Sequence, residues 1–109
     1  MQVVVDWDGT VTERDSLVLV LRRFLAPGAF DALAAEVDAK LAARTMTHRE
    51  VMEREFSMMT APLDEVVAYL VEHVRLRSGF AEFVTRFDPL ILSSSFRETI
   101  DPVLARHGV

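Results

Sequence analysis

Two short runs of apolar residues stand apart because no polar residue interrupts them. Residues 3–5 are three valines, and residues 90–92 read Leu-Ile-Leu. Short uninterrupted apolar runs rich in β-branched residues are typical of strands that are buried on both faces. We therefore predict one buried strand near each end of the chain.

Between and after these strands, apolar residues recur every three or four positions, which is the spacing of amphipathic helices. The spacing predicts helices over residues 17–25, 29–44, 47–60, 62–74, 80–87 and 96–107. Either Asp15 or Ser16 can cap the first helix. Either Thr45 or Thr47 can cap the third, and Thr47 with Glu50 has the spacing of a capping box. Residues 11–14 are expected to form a turn.

The order of these elements indicates an α/β fold with one large helical insertion after the first strand. At 109 residues the chain corresponds to one domain or to part of one. Two parallel strands fall short of the roughly five strands that a doubly wound sheet usually has. The sheet is therefore expected to be incomplete.

Composition narrows the classes of function. The net charge of -5 leaves no basic surface for nucleic acid. Without cysteine, disulfides and thiolate metal sites are excluded. No apolar stretch approaches the roughly 18 residues of a membrane span, and no secretory signal is visible at the amino terminus. We expect a cytoplasmic protein without a membrane segment.

Two acidic residues, Asp6 and Asp8, follow the first strand and precede Gly9 and Thr10. An unpaired carboxylate is costly to bury, so these acids are not core residues. Ligands of open α/β sheets bind at the carboxyl ends of the strands, where both acids are expected to lie. The pattern favours a ligand site there, and the simpler alternative is that both acids only cap a turn.

A calcium-binding loop is a competing interpretation, because D-x-D-G also occurs in EF-hands. With Asp6 as the first ligand, Val11 takes the glycine position and Leu17 takes the terminal acidic position. With Gly9 as the invariant glycine, Val4 becomes the first ligand. Both registers place apolar residues where ligands are required, so an EF-hand is excluded.

The segment VVVDWDGT resembles motif I of the haloacid dehalogenase superfamily, which is D-x-D-x-T after a hydrophobic strand. LILSSSF resembles motif II, and the helices between the two motifs resemble the C1-type cap of phosphoserine phosphatase-like members. SSSFRETIDPVLARHG is similar to the helix that follows motif II. The resemblance implies an incomplete Rossmann-like parallel sheet formed by residues 1–13 and 78–109, with a helical cap over residues 14–77.

The resemblance also implies the roles of individual residues. Asp6 would be the nucleophile that attacks phosphorus, and Asp8 the general acid and then the general base. Mg²⁺ would be held by the Asp6 carboxylate and the Asp8 backbone carbonyl. The phosphate and the rest of the substrate would be bound by Gly9, Thr10, Ser93, Ser94 and Asp15. Asp15 would face a substrate amine. Taken alone, a serine after a strand is more often a helix cap than a ligand.

Two parts of the family pattern have no match here. A lysine that pairs with the phosphoryl group is expected after a third strand, but the single lysine, Lys40, lies in the cap. The acidic pair that completes the magnesium site is also absent.

We expect a Mg²⁺-dependent phosphatase of a small phosphorylated metabolite that acts through an aspartyl phosphate. This chain alone is expected to be weakly active or inactive. The alternative is a non-catalytic interaction module that self-associates through an exposed sheet edge.

Overall fold

A computed structural model describes residues 1–109, which form two short strands, six α-helices and one five-residue π-type turn. The elements in chain order are β1 (Val4–Asp6), the turn (Trp7–Val11), α1 (Ser16–Phe24), α2 (Ala29–Ala42), α3 (His48–Ser57), α4 (Leu63–His73), α5 (Phe80–Phe87), β2 (Leu90–Leu92) and α6 (Arg97–Arg106). The predicted α/β order is confirmed. None of these helices is both long enough and apolar enough to cross a bilayer.

The chain divides into two compact units that do not coincide with the predicted core and cap. One unit contains Met1–Val20 and Pro62–Val109, and the other contains Leu21–Ala61. Helix α4 belongs to the first unit, where it packs against α6. The assignment of residues 14–77 to a functional cap stays a prediction.

The two strands pair in parallel, as predicted, with Val4 opposite Leu90 and Asp6 opposite Leu92. Burial on both faces, however, was a wrong prediction. The exposed fractions of Val4, Leu90 and Leu92 are 50%, 54% and 61%, whereas Val5 and Ile91 are partly buried. Because strand side chains alternate between faces, these exposures show that one face of the sheet is covered and the other is bare.

The segment after β1 also differs from the predicted turn over residues 11–14. The chain turns earlier, at Trp7–Val11, and the Thr12 N–H donates to the Trp7 carbonyl at 3.1 Å. Trp7 is 1% exposed, and Val11 and Thr12 are also buried. Thr12 then forms an isolated antiparallel bridge with Leu76. The turn therefore places a large aromatic side chain in the core directly between the two acids.

The second unit contains α2 and α3 and is stabilised by local contacts. The Thr47 hydroxyl accepts from the Glu50 N–H at 3.2 Å, and the Glu50 carboxylate accepts from the Thr47 N–H at 3.1 Å, which confirms the capping box. Arg54 Nε donates to Glu36 Oε2 at 2.8 Å. This hydrogen bond lowers the pKa of Glu36 and raises the pKa of Arg54. The apolar side chain of Leu41 in α2 is 44% exposed.

Candidate active site

The parallel pairing of β1 and β2 brings the two predicted motifs to one edge of the sheet. Asp6 is the last residue of β1 and lies opposite Leu92, the last residue of β2. Ser93 follows Leu92 directly, so Asp6 and Ser93 both lie at the carboxyl ends of neighbouring strands. In α/β proteins this edge is where ligands bind.

Asp8 is held by hydrogen bonds to both oxygens of its carboxylate. Its Oδ1 accepts from the Ser16 N–H at 2.9 Å and also from the Ser16 hydroxyl. Its Oδ2 accepts from the Ser95 hydroxyl at 2.8 Å. Ser16 is the first residue of α1 and is 6% exposed, so its two groups have little access to water. Asp8 therefore joins the start of α1 to the segment that follows β2.

Asp6 lies in a different environment. Its side chain is exposed, and its Oδ2 accepts a single long hydrogen bond, at 3.4 Å, from the Thr10 hydroxyl. A contact of that length is weak. The Asp6 carboxylate is therefore accessible to a ligand, with the Thr10 hydroxyl beside it.

The loop that carries Gly9 and Thr10 is fixed from two directions. Gly9 has a φ of 74°, a left-handed conformation that glycine adopts without strain. A Cβ on Gly9 would meet no atom within 4 Å, so the backbone angle and not space requires glycine here. The Gly9 N–H donates to the Thr12 hydroxyl at 3.0 Å, and the same hydroxyl donates to the Arg14 carbonyl at 2.6 Å. Arg77 holds the carbonyls of Gly9 and Thr10.

The other predicted site residues lie in the segment that follows β2 and in the segment just before α1. Ser93 Oγ accepts from the Ser95 N–H at 3.0 Å, which closes a serine turn after β2. Ser94 is exposed and lies between them. Asp15 Oδ1 accepts from the N–H groups of Leu17 and Val18 at 2.9 and 3.1 Å, so Asp15 caps α1. The structure thus brings Asp6, Asp8, Ser93 and the Gly9 loop together, while one oxygen of Asp15 is engaged in capping.

Three residues of this arrangement were not predicted to hold the acids or the loop. Ser16 and Ser95 bind Asp8, and Arg77 binds the loop carbonyls. A signal for Ser95 existed in the run of three serines at a strand end beside two carboxylates. Arg77 carried no such signal, because its contacts lie 67 and 68 residues away in the sequence.

Two cavities open beside these residues. One, of about 330 Å³, lies between β2 and α6 and is lined in part by Ser93, Ser95 and Arg97. The other, of about 240 Å³, is lined in part by Thr10 and Arg77. The two cavities place open space next to the serine turn and next to the loop after β1.

The oxygen atoms at the sheet edge fit the preferences of Mg²⁺. This ion binds proteins through one or two carboxylates, and takes its other ligands from water and substrate phosphate. The exposed Asp6 carboxylate can be such a ligand, whereas the Asp8 carboxylate is engaged by Ser16 and Ser95. No three acidic or histidine side chains of residues 1–109 cluster closely enough to hold a metal by themselves. The residues present therefore fit a Mg²⁺ ion that takes its remaining ligands from water and substrate phosphate.

Comparison with known proteins gives a family match over nearly the whole chain. The family model of the haloacid dehalogenase-like hydrolases matches residues 3–109. Three relatives are named 2-hydroxy-3-keto-5-methylthiopentenyl-1-phosphate phosphatase. The protein from Geobacillus thermodenitrificans is 36% identical over 80 residues, covering 72% of this chain and 34% of the relative. The one from Bacillus cereus is 31% identical over 85 residues, covering 77% and 36%. The one from Brevibacillus brevis is 29% identical over 106 residues, covering 92% and 46%.

The chain thus spans between a third and a half of the length of these curated relatives. Their shared name refers to a phosphatase of a small phosphorylated compound. It differs from the phosphoserine phosphatase-like subgroup that the sequence suggested, and that subgroup stays a prediction.

Proposed function

We propose that this chain, which belongs to the haloacid dehalogenase-like hydrolases, contributes the nucleophile and the acid–base residue of a Mg²⁺-dependent phosphatase of small phosphorylated metabolites. The observation that carries the proposal is the placement of Asp6, Asp8 and Ser93 at one edge of the parallel sheet. The names of the relatives support the substrate class.

In the proposed reaction, the Asp6 carboxylate attacks phosphorus while the bond from phosphorus to the leaving oxygen breaks. Asp8 gives a proton to that oxygen and then takes one from the water that attacks the aspartyl phosphate. Inorganic phosphate leaves and Asp6 is regenerated. Splitting hydrolysis into two displacements replaces one difficult step by two easier ones.

Asp6 suits the role of nucleophile because its carboxylate is exposed and makes only one weak contact. Asp8 suits proton transfer because Ser95 can serve it in both protonation states. A serine hydroxyl donates to an ionised carboxylate and can accept from a protonated one, so the proton can reside on Asp8 Oδ2. The hydroxyls of Thr10 and Ser93 would bind phosphoryl oxygens, together with backbone amides near Gly9 and Ser94.

The Asp6 carboxylate and the Asp8 backbone carbonyl would hold Mg²⁺. When bound, the ion supplies positive charge that offsets the negative charge of the phosphoryl oxygens. Since Lys40 is the single lysine and no acidic cluster completes the cation site, we expect the 109-residue chain alone to turn over substrate slowly or not at all.

Two proteins test this proposal with a generic aryl phosphate and Mg²⁺. The first is the 109-residue chain. The second is a chimera in which this chain is followed by the part of the Brevibacillus brevis relative beyond the matched region. We expect turnover by the chimera, loss of at least about a thousandfold in its Asp6→Asn variant, and unchanged turnover in the Asp38→Asn control on α2. Asp6-dependent turnover by the short chain as fast as that of the chimera would refute its predicted weak activity, and a chimera with unchanged turnover after Asp6→Asn would refute the proposed nucleophile.

A second candidate function is association of two copies through the bare face of the sheet. Val4, Leu90 and Leu92 lie exposed on that face, and each strand has one edge without a partner. A second copy presents the same apolar face, so the two faces can cover each other in a symmetric dimer. Asp6 lies on the same face by strand alternation, so dimer formation and phosphate binding would compete.

Light scattering after size exclusion tests this alternative. If the face mediates association, the mass rises toward that of a dimer with concentration, and Leu92→Lys returns it to the monomer. Leu63→Lys, at an apolar residue that is 57% exposed on α4, is the matched control and should leave the mass unchanged. A monomer at all concentrations would exclude this function.

A further inference from the structure

Arg77 lies in the linker between α4 and α5, and the backbone of this linker runs beside the segment that follows the acids. The Arg77 N–H donates to the Val11 carbonyl at 2.7 Å. The preceding residue, Leu76, forms the antiparallel bridge with Thr12. The position of the Arg77 side chain relative to the loop is therefore set by the backbone.

The guanidinium of Arg77 binds two consecutive carbonyl oxygens of that loop. Its Nε donates to the Thr10 carbonyl at 2.7 Å, and its Nη2 donates to the Gly9 carbonyl at 3.0 Å. The planar guanidinium carries its donors in a fixed fork, so two simultaneous bonds restrict the orientation of both carbonyls. A lysine ammonium has no such fork and would hold them less specifically.

These bonds also fix the amide groups on the other side of the same peptide planes. The chain has no cis peptide bond, and in a planar trans peptide the C=O and N–H point in opposite directions. The N–H groups of Thr10 and Val11 therefore point away from Arg77. The side chain thus determines which way the donors of the loop face, although it lies on a separate segment.

We propose that Arg77 is a positioning residue that holds the loop of Gly9 and Thr10 in the conformation that receives the phosphoryl group. This inference rests on the proposed function, because it assigns the loop a phosphate to bind. The two acids that precede this loop are already anchored, Asp6 by the strand and Asp8 by Ser16 and Ser95. Arg77 supplies the corresponding anchor for the peptide groups that follow Asp8.

Three variants of the 109-residue chain separate this role from a general contribution to folding. Arg77→Met keeps the aliphatic stem and removes every donor. Arg77→Lys keeps the charge but loses the fork. Arg75→Met is the matched control, because Arg75 is an exposed arginine on the same linker whose guanidinium forms no hydrogen bond or ion pair in the structure.

The measurements are amide hydrogen exchange by NMR and titration with inorganic phosphate in the presence of Mg²⁺. Exchange is compared between two hydrogen-bonded amides of the loop, Gly9 and Thr12, and the core amides of Leu70 and Val103. We expect Arg77→Met to speed loop exchange and to weaken phosphate binding by about tenfold each, with core exchange unchanged. The effects of Arg77→Lys should lie between those of the original chain and those of Arg77→Met. Arg75→Met should change neither the loop exchange rate nor the phosphate affinity by more than about twofold.

The outcomes distinguish this inference from the proposed function. Equal acceleration of loop and core exchange would show that Arg77 only stabilises the fold, and would overturn the inference. Faster loop exchange with unchanged phosphate affinity would overturn it as well. If neither the unaltered chain nor the chimera binds phosphate, the proposed function fails and the phosphate role of Arg77 fails with it, while the exchange rates still decide whether Arg77 holds the loop. If only the chimera binds phosphate, the affinities of the same three variants are compared in the chimera.

Discussion

Replacement of Asp8 by alanine would remove the acceptor of three hydrogen bonds. The Ser16 N–H, the Ser16 hydroxyl and the Ser95 hydroxyl all donate to its carboxylate. The bond to the Ser16 N–H caps the first residue of α1, and losing a cap costs about 1 kcal/mol. The Ser16 hydroxyl, 6% exposed, would be left buried without its acceptor, at about 1–3 kcal/mol. We therefore expect Asp8→Ala to lower the free energy of unfolding by about 2–4 kcal/mol.

Urea unfolding measures this loss, with Trp7 fluorescence and circular dichroism as independent signals. Asp8→Asn is the informative comparison, because an amide oxygen can accept from Ser16 while the amide nitrogen donates to the Ser95 hydroxyl. Only the charge assistance is lost, so we expect a cost of about 1 kcal/mol. Asp38→Ala, at an exposed acid of α2, is the control and should stay within about 0.5 kcal/mol of the original chain.

A double-mutant cycle tests the reason given for the magnitude. In the Asp8→Ala background the Ser16 hydroxyl has no acceptor, so adding Ser16→Ala should cost little or even restore stability. Additive costs of the two substitutions, or a cost below about 1 kcal/mol for Asp8→Ala, would refute the role of this carboxylate as an anchor for α1.

Three further substitutions test other parts of the fold. Trp7→Ala should lower the free energy of unfolding by about 3–5 kcal/mol, measured by circular dichroism, because the side chain is 1% exposed. Thr47→Ala should cost about 1 kcal/mol through loss of the capping box, whereas Thr60→Ala should cost nothing measurable in the same thermal melt. Arg54→Met should raise the pKa of Glu36 back toward its ordinary value, followed by NMR titration of the carboxyl carbon, and an unchanged titration would contradict the ion pair. The hydrogen bond with Arg54 lowers the pKa of Glu36 in the folded chain below its ordinary value of about 4.3. The stability that this ion pair contributes is therefore complete above about that pH, and it is lost as the pH falls through the lower folded pKa.

The elements whose limits are encoded by neighbouring residues were predicted well. Helix α5 has the bounds Phe80–Phe87 that its apolar spacing indicated. It is preceded by Gly79 and followed by Asp88, both with positive φ, and such residues end regular structure locally. The capping box of Thr47 and Glu50 is likewise a contact over three residues. Predictions of this kind succeed because the interactions that decide them lie within one turn of the chain.

Burial and long-range contacts were predicted poorly, for a physical reason. The valines of β1 indicate a strand but contain no information on how many other elements cover it, so the exposure of Val4 and Leu90 could not be derived. In the sequence Trp7 stands between two acids, yet the π-type turn directs its side chain into the core. Which face of an element is covered depends on contacts between distant segments, and periodicity does not encode them.

The candidate site depends both on a local sequence motif and on contacts between distant segments. The structure shows a difference between the environments of its two acids that the motif alone does not. Asp6 and Asp8 are two residues apart and chemically identical, so the sequence could assign their roles only by resemblance. In the structure the Asp6 carboxylate is exposed and makes one contact of 3.4 Å, whereas both oxygens of Asp8 accept hydrogen bonds. A nucleophile must present a free oxygen to phosphorus, and Asp8 would first have to break bonds to Ser16 or Ser95. A group that exchanges protons gains from a fixed orientation and a hydroxyl partner. The environments of the two acids therefore support Asp6 as the nucleophile and Asp8 as the acid and base, and the reverse assignment would conflict with them.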